Sequence, residues 1–568
     1  MMKLHINKMV LLLMATCTIT ACTKKLDEYN PGGATVESLF NTPEGFESAV
    51  TATYTYNRSL FGKEEGYALL EAGTDIWTNA AFNGNTGING IFPNTPLTTY
   101  QGLISDNLWV NTNLWVPCYA AINLCNTGLK HINDAGLADT RKLVLEGELR
   151  CMRAWYYYLL AEAFGPVNFT LEPTEGMLTT ANRTPVEKIY EQIFADLQFA
   201  IDHLPSTAAD YGRATKPVAE ALMARINLTR GNNQAASNYA NNVIKNYKFS
   251  LLPNYADLWK MENEKNVEVV WGLNYSKNLE VNAGSNVGHS MFVMNYIDQP
   301  GMQPDVPNEV ANVRWMPTQF LLDLFDETSD ARFSASFKQA WISNNSKTLP
   351  KWTTADAAQN PALAPLVGQN KFEVGDTAVF VSKYPVDNFQ QKYSTRYRYT
   401  TYDRDDIYDA NGKPKDRFHY ITLQKFADPT RGSATEPQSS RDAFLIRLAE
   451  MYLVVAEAQM KLGKLDSAAL YINNLRKRAI IPGKEAAMEV KPAAINIDFI
   501  LDERARELAG EQLRWFDLKR TGKLLERVTS HNPDAAAYIK SYHTLRPIPQ
   551  AQLDAVTNKS EFKQNDGY

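Results

Sequence analysis

Arg441-Asp442-Ala443-Phe444-Leu445-Ile446-Arg447-Leu448-Ala449-Glu450-Met451-Tyr452-Leu453-Val454-Val455-Ala456-Glu457-Ala458-Gln459 is the stretch from which the fold can be read. Leu445, Leu448, Ala449, Tyr452, Leu453 and Ala456 recur in steps of three and four, which makes one face of a helix apolar. Gly463 supplies a stop, because glycine takes the left-handed backbone that helix ends favour. Asp466 stands where it can cap a second helix, whose apolar face runs Ala468, Ala469, Ile472, Leu475, Ala479. A connection this short forces the two helices antiparallel, and Ala449, Ala456 and Ala468 allow a close approach. This is the helical hairpin of a tetratricopeptide-type repeat, with bulky side chains left over for a neighbouring pair. The periodicity fits any other αα-hairpin of an α-rich protein equally well.

Working outward, Asp502-Glu503-Arg504-Ala505-Arg506-Glu507-Leu508-Ala509-Gly510-Glu511 runs into Gln512-Leu513-Arg514-Trp515-Phe516-Asp517-Leu518-Lys519-Arg520-Thr521-Gly522. Together with Arg447-Leu448-Ala449-Glu450-Met451-Tyr452, Leu545-Arg546-Pro547-Ile548-Pro549-Gln550 and the ending Gln564-Asn565-Asp566-Gly567-Tyr568, these segments resemble the SusD/RagB family. That family comprises surface nutrient-binding lipoproteins of Bacteroidetes that work with a SusC-like, TonB-dependent outer-membrane transporter. The resemblance implies a mostly α, SusD-like fold: a TPR-like scaffold of about four helical hairpins with a loop-rich, minor-β face. Arg504, Arg506, Glu507, Arg514 and Asp517 could be mistaken for a catalytic cluster. On a helix that also carries Leu508, Trp515 and Phe516, they read as ion pairs locking it to its neighbours.

The 568 residues allow several ordinary domains or one large superhelical one. A formal net charge of −5 offers no basic field for a phosphate backbone, which argues against nucleic acid as a partner. Aromatic residues make up 11%, with 28 Tyr and 10 Trp, enough to furnish aromatic surfaces beyond the core. At the N-terminus, Lys3 and Lys8 precede Met9-Val10-Leu11-Leu12-Leu13-Met14-Ala15, a run too short to span a bilayer. Ile19-Thr20-Ala21-Cys22 then reads as a lipobox with Cys22 as the acylated residue; Cys17 is the rival, following the less suitable Thr16. Acyl chains on one cysteine give a stable anchor, each buried methylene contributing about 0.8 kcal/mol. Thr23-Lys24-Lys25-Leu26-Asp27-Glu28 resembles the family's surface tether, although lysines stand where acidic residues are more usual. The expected location is the outer membrane, lipid-anchored and exposed at the cell surface. Cys118 and Cys125 lie roughly 10 Å apart along a helix, too far for a disulfide, so with Cys151 they read as buried thiols. No cysteine cluster or HExxH pair suggests a metal, and no cofactor is expected beyond the lipid on Cys22.

The expected organisation is a signal peptide at 1–21, a lipidated tether at 22–35 and an N-terminal half with the first repeat pairs at 36–250. A loop-rich insert with short strands follows at 251–440, then a C-terminal half with the last repeat pair at 441–568, all in one compact domain. Helices are predicted from Leu114 to about His131, over Thr140 to Phe164, from Pro185 to about His203, over Val218 to Arg230 and over Asn233 to Asn246. In the insert, Val267 to Leu273 alternates as a strand does, and Val379 to Tyr384 and Tyr397 to Tyr402 look extended. Asp409-Ala410-Asn411-Gly412-Lys413 has turn chemistry. Asp403, Asp405, Asp406 and Asp409 do not fit an EF-hand loop, because one with Gly412 in sixth place would open on Ile407 and close on Phe418.

The resemblance implies a ligand site on the variable loops rather than on the scaffold. Sugars suit such a site: their C–H faces stack on Trp or Tyr, and each hydroxyl pairing nets only about 1 kcal/mol. The candidates are Trp77, Asn83 and Asn85 in the Asn/Gly-rich stretch, Tyr100 and Trp109 closing it, and Tyr296 and Trp315 further on. For each ring the alternative is a loop anchor packed on the scaffold. The leading expectation is a non-catalytic oligosaccharide-binding lipoprotein serving a transporter. An oligopeptide cargo and, more remotely, a surface glycoside hydrolase with dispersed carboxylates are the alternatives.

Overall fold

The computed structural model describes residues 39–81, 94–278, 280, 285–386 and 393–568. The predicted signal peptide and tether, with Cys22, and the candidates Asn83 and Asn85 lie outside the described residues. Helix α1 (Pro43–Thr55) is followed by α2 (Val116–His131), α3 (Asp139–Phe164), α4 (Val186–His203), α5 (Lys216–Thr229) and α6 (Asn233–Asn246). After the insert come α7 (Leu448–Lys461), α8 (Leu465–Arg476), α9 (Ile497–Leu508) and α10 (Arg514–Arg520). Helix α3 lies against α2 and α4, α5 against α4 and α6, α6 against α7, and α7 against α8 and α9. The row of helices is therefore continuous in space, although the chain leaves it between α6 and α7. Among the described residues no helix is long and apolar enough to cross a membrane.

Every side chain of α3 from Cys151 to Phe164 is buried. A helix apolar on all sides has to be enclosed, and the aromatic run Trp155-Tyr156-Tyr157-Tyr158 supplies that enclosure, with Trp155 Nε1 donating to Asn57 Oδ1 at 2.8 Å. Cys118, Cys125 and Cys151 are free and buried, as expected, and burial pushes the Cys125 thiol up to about 12.

The 441–480 hairpin departs from its sequence reading in two ways. Helix α7 begins at Leu448, not before it. Residues Ala443–Arg447 instead form a strand antiparallel to Val269–Leu273, pairing Leu273 with Ala443 and Val269 with Arg447. Leu445 keeps helical phase with Leu448 yet lies in the sheet, at the irregularity between Phe444, which pairs with Gly272, and Ile446, which pairs with Trp271. Gly463 ends the helix with φ +75°, as read, but Asp466 caps nothing: Lys464 precedes the first turn of α8 and no side-chain cap bond forms.

Ion pairs do lock the C-terminal helices. Arg504 donates to Asp517 at 2.6 Å and Arg506 to Glu503 at 2.9 Å. Arg514 reaches Asp75 at 2.6 Å, and Glu507 accepts from Arg447 at 2.6 Å, Arg478 at 2.5 Å and Arg332 at 3.0 Å. Burial alone would raise the Glu507 pKa, but the Arg478, Arg447 and Arg332 guanidinium groups hold it far below the usual carboxylate range.

The nine strands among the described residues are short. They are β1 (Trp77–Asn79), β2 (Val269–Leu273), β3 (Trp315–Pro317), β4 (Phe337–Lys338), β5 (Ala340–Ile342), β6 (Thr377–Val381), β7 (Thr400–Tyr402), β8 (Thr422–Leu423) and β9 (Ala443–Arg447). Antiparallel pairs join β1 to β3, β2 to β9 and β4 to β8, while β5, β6 and β7 form one sheet with β6 central and β7 parallel to it. The predicted turn is present: Asp409 Oδ1 accepts from the amides of Asn411 and Lys413. Asp403 caps the short helix Arg404–Ile407, taking the Asp405 and Asp406 amides at 2.9 Å each.

Candidate binding cleft

The aromatic rings singled out in the sequence are core residues in the structure. Trp77 and Trp315 are fully buried on the paired strands β1 and β3. Trp77 donates to Glu71 Oε1 at 3.1 Å, and both indoles flank Phe292, their centroids 4.6 and 5.8 Å from it. Tyr296, also fully buried, stacks on Trp341 at 4.7 Å and donates to the Glu309 carbonyl at 2.8 Å. Tyr100 rests on His543 at 4.9 Å, and Trp109 is buried in the same core. None of these five offers a face to a ligand, which corrects the expectation. The physical reason is area: enclosing an aromatic ring removes about 150–250 Å² from water, and these irregular segments gain their attachment that way. The structure brings Trp77 and Trp315 into one cluster but does not join Tyr100, Trp109 or Tyr296 to a common surface.

A wide open concavity lies elsewhere, entirely within the insert. It is a cleft of about 750 Å³ lined by residues between Pro300 and Asp416, with no contribution from the helical row. One wall is the β7 edge and the residues leading into it, Tyr397-Arg398-Tyr399-Thr400-Thr401-Tyr402. Backbone pairing of β7 with β6, Val379 opposite Thr400 and Val381 opposite Tyr402, fixes this edge, since β6 is itself held by β5. The Tyr397 and Tyr399 rings meet edge to face at 6.0 Å and are half-buried, and Phe380 backs Tyr399 at 6.2 Å. Tyr402 is also half-buried, and burial pushes its phenol up to about 12.

The opposite wall is Pro300, Pro350, Lys371 and Phe372. Lys371 sits 4.6 Å over the Trp352 ring and 3.2 Å from Asp356. Gly301 makes this wall possible: its φ is +79°, and an added Cβ would lie 2.6 Å from a Phe372 ring carbon. Only glycine tolerates both the backbone and the approach. Asp406 and Asp416 stand on the rim, each already engaged. Asp406 Oδ2 accepts the Asp403 amide at 3.1 Å, and Asp416 accepts the Phe418 amide and contacts His419 Nδ1, both at 2.7 Å. Among the described residues no group of three His, Cys, Asp or Glu side chains could hold a metal ion.

A cleft of this size matches small-molecule and oligomer sites, which run about 300–1,000 Å³. Flat rings beside threonine hydroxyls, a guanidinium and carboxylates can bind a ligand with both apolar faces and many polar groups. The sequence did show Tyr397 to Tyr402 as an extended segment. That the same segment is a wall of the site was missed.

Comparison with known proteins covers nearly the whole chain. Residues 219–568 match the family model described as SusD family, and residues 78–228 match one described as "Starch-binding associating with outer membrane". The chain is 25% identical to SusD-like protein P25 of Formosa agariphila over 100% of both chains. It is 23% identical to the starch-binding protein SusD of Bacteroides thetaiotaomicron, covering 76% of this chain and 74% of that one. Among solved structures, a laminarin-binding SusD-like protein superposes with a TM-score of 0.68 at 21% identity, covering 93% of this chain and 100% of the other. Surface glycan-binding protein A from Bacteroides thetaiotaomicron does so with a TM-score of 0.65 at 19% identity and the same coverage. With the C-terminal family model spanning more than half of its residues, the chain belongs to the SusD family.

Proposed function

We propose that this protein is a non-catalytic, outer-membrane glycan-binding lipoprotein that captures an oligosaccharide in the insert cleft. It hands that cargo to a SusC-like, TonB-dependent transporter. The observation carrying this reading is the cleft itself: half-buried Tyr397, Tyr399 and Tyr402 along one wall, interleaved with Arg398, Thr400 and Thr401. Relatives named for starch, laminarin and surface-glycan binding support carbohydrate as the cargo. The lipobox ending at Cys22 supports anchoring. Both rim carboxylates are committed to structural hydrogen bonds, which favours capture over hydrolysis.

The test is retention of the unlipidated mature chain, beginning at Thr23, in native gels containing glycans from a panel that includes laminarin and starch. Tyr399→Ala should weaken retention about tenfold, as expected for loss of one stacking platform together with its area. Retention of mixed oligopeptides but of no glycan would move the cargo to peptides. Reproducible release of shorter sugars would replace binding by hydrolysis.

A further inference from the structure

Behind Tyr402 lies an arrangement that the binding reading does not use. The His419 imidazole stacks flat on the Tyr402 ring, centroids 4.4 Å apart and planes 7° apart. Its Nδ1 meets Asp416 Oδ2 at 2.7 Å, and its Nε2 meets Asp298 Oδ1 at 3.1 Å and Oδ2 at 3.2 Å. Ionised carboxylates only accept hydrogen bonds, so a carboxylate at each nitrogen favours the doubly protonated, positively charged ring, against the Gln299 amide nitrogen that also lies 3.0 Å from Nε2. The arrangement is itself braced. Asn295 donates to Asp298 Oδ2 at 3.0 Å, and Gln299 donates to Asp298 Oδ1 at 2.6 Å while accepting from the Tyr402 hydroxyl at 3.3 Å. A cation beneath an aromatic face is attracted to it, which holds that ring flat.

We propose that His419 is a positioning residue of the cleft: clamped between Asp298 and Asp416, its charged ring fixes the Tyr402 face presented to cargo, so capture weakens in alkaline medium. This rests on the cleft being the binding site. Among the described residues the charged groups facing the ring are Asp298, on the loop before Pro300, and Asp416, on its own loop; neutral Tyr402 from β7, the Gln299 amide and the Phe418 ring lie beside it. The sign follows from the surroundings. Burial opposes the charge, but the bonds to Asp416 and Asp298 outweigh it and raise the His419 pKa above the ordinary 6.5. The charged form, and the ordering it gives, is present below that value and is lost as pH rises through the raised one. Tyr402, held up at about 12, stays neutral throughout.

The test uses the unlipidated mature chain with ring-labelled histidine and tyrosine, titrated from pH 6 to 9 by NMR. His419→Gln and Tyr402→Phe assign the two signals. The expected result is a His419 midpoint above 6.5, a Tyr402 ring signal that moves with the same midpoint, and a lower midpoint in Asp298→Asn. Laminarin and soluble starch serve as binding probes. Wild-type retention should weaken about two- to fivefold across this range, while His419→Gln binds more weakly at pH 6 and shows no such dependence. A Tyr402 signal indifferent to the His419 titration would overturn the inference, as would a His419→Gln protein whose retention still follows the wild-type curve. Co-titrating rings in a chain that retains neither polysaccharide would uphold the positioning role and count against the glycan reading alone. Undiminished retention by Tyr399→Ala would remove the cleft as the site, and this inference with it.

Discussion

Asp75 is the residue whose neutralisation should reveal how the two ends of the chain are held together. Its carboxylate is fully buried and takes Arg514 at 2.8 and 2.6 Å and Arg527 at 2.7 Å. Burial pushes its pKa up, but the Arg514 and Arg527 guanidinium groups prevail and bring it from 3.8 down to about 2. That displacement corresponds to roughly 2–3 kcal/mol. Asp75→Asn keeps the shape and removes the charge. Arg527 retains Asp502 and Asp498, but Arg514 keeps only neutral acceptors, the Leu501 carbonyl and the oxygen of the new amide. An uncompensated buried guanidinium costs about 3–5 kcal/mol. With an unfolding entropy of about 2.1 cal/mol/K per residue, a chain of this length should melt about 2.5–4 °C lower. The pH dependence adds a second signature. A depressed carboxylate stabilises the fold above 3.8 and ceases to do so as pH falls toward 2, so the gap between wild type and Asp75→Asn should close over that interval. Scanning calorimetry at pH 7, with denaturant melts from pH 5 to 2, reads both effects. Equal midpoints at pH 7, or a gap that persists unchanged at pH 2, would refute the assignment.

Other perturbations follow from the same geometry. Gly301→Ala should destabilise the insert by about 1–3 kcal/mol through its left-handed backbone and its clash with Phe372, and should lower glycan retention; a urea melt and the gel assay check this. Glu450→Gln removes the partner of buried Arg225 (2.7 and 2.6 Å) between α5 and α7, so its urea midpoint should fall by about 3–5 kcal/mol equivalent, whereas Glu175→Gln, at the exposed Lys130 pair, should leave the midpoint where it is. Cys22→Ser should move the protein from the detergent-soluble membrane fraction to the aqueous one, as followed by fractionation and immunoblot.

The helical row was legible because its residues repeat at the period of the helix: the bounds of α6 match the reading, and α2 to α5 agree to within about two residues. Leu445 shows where periodicity fails, since a short apolar run fits helix and strand alike and only the distant β2 decides. The site was less legible. Choosing rings by their loop setting selected Trp77, Tyr296 and Trp315, which are the residues that gain most from burial. The cleft wall at Tyr397–Tyr402 could be seen as extended, but its opposite wall comes from Pro300, Pro350 and Phe372. His419 meets Asp298 from 121 residues away, a separation that leaves no local signal.

The division between frame and loops has a physical basis in where the buried charges lie. Glu507 and Glu511 belong to α9 and the turn after it, yet their partners come largely from the insert and its borders. Arg332 and Lys425 belong to the insert, while Arg447 ends β9 where the chain rejoins the helices. Glu268, at the start of β2 where the chain enters the insert, shares Arg447 and Arg478 with this group. Apolar contacts would hold these segments nearly as strongly, but they are non-directional and tolerate sliding. Hydrogen-bonded ion pairs accept only one geometry, and here they fix both ends of an excursion of nearly two hundred residues against a single helix. With its entry and exit pinned, the insert can change its middle, including Pro300, Phe372 and the Tyr397–Tyr402 wall, without disturbing the helical row. If the insert cleft is the binding site proposed above, selectivity for cargo would reside in residues whose replacement costs the frame little, and the frame's charged seam is what makes that separation possible.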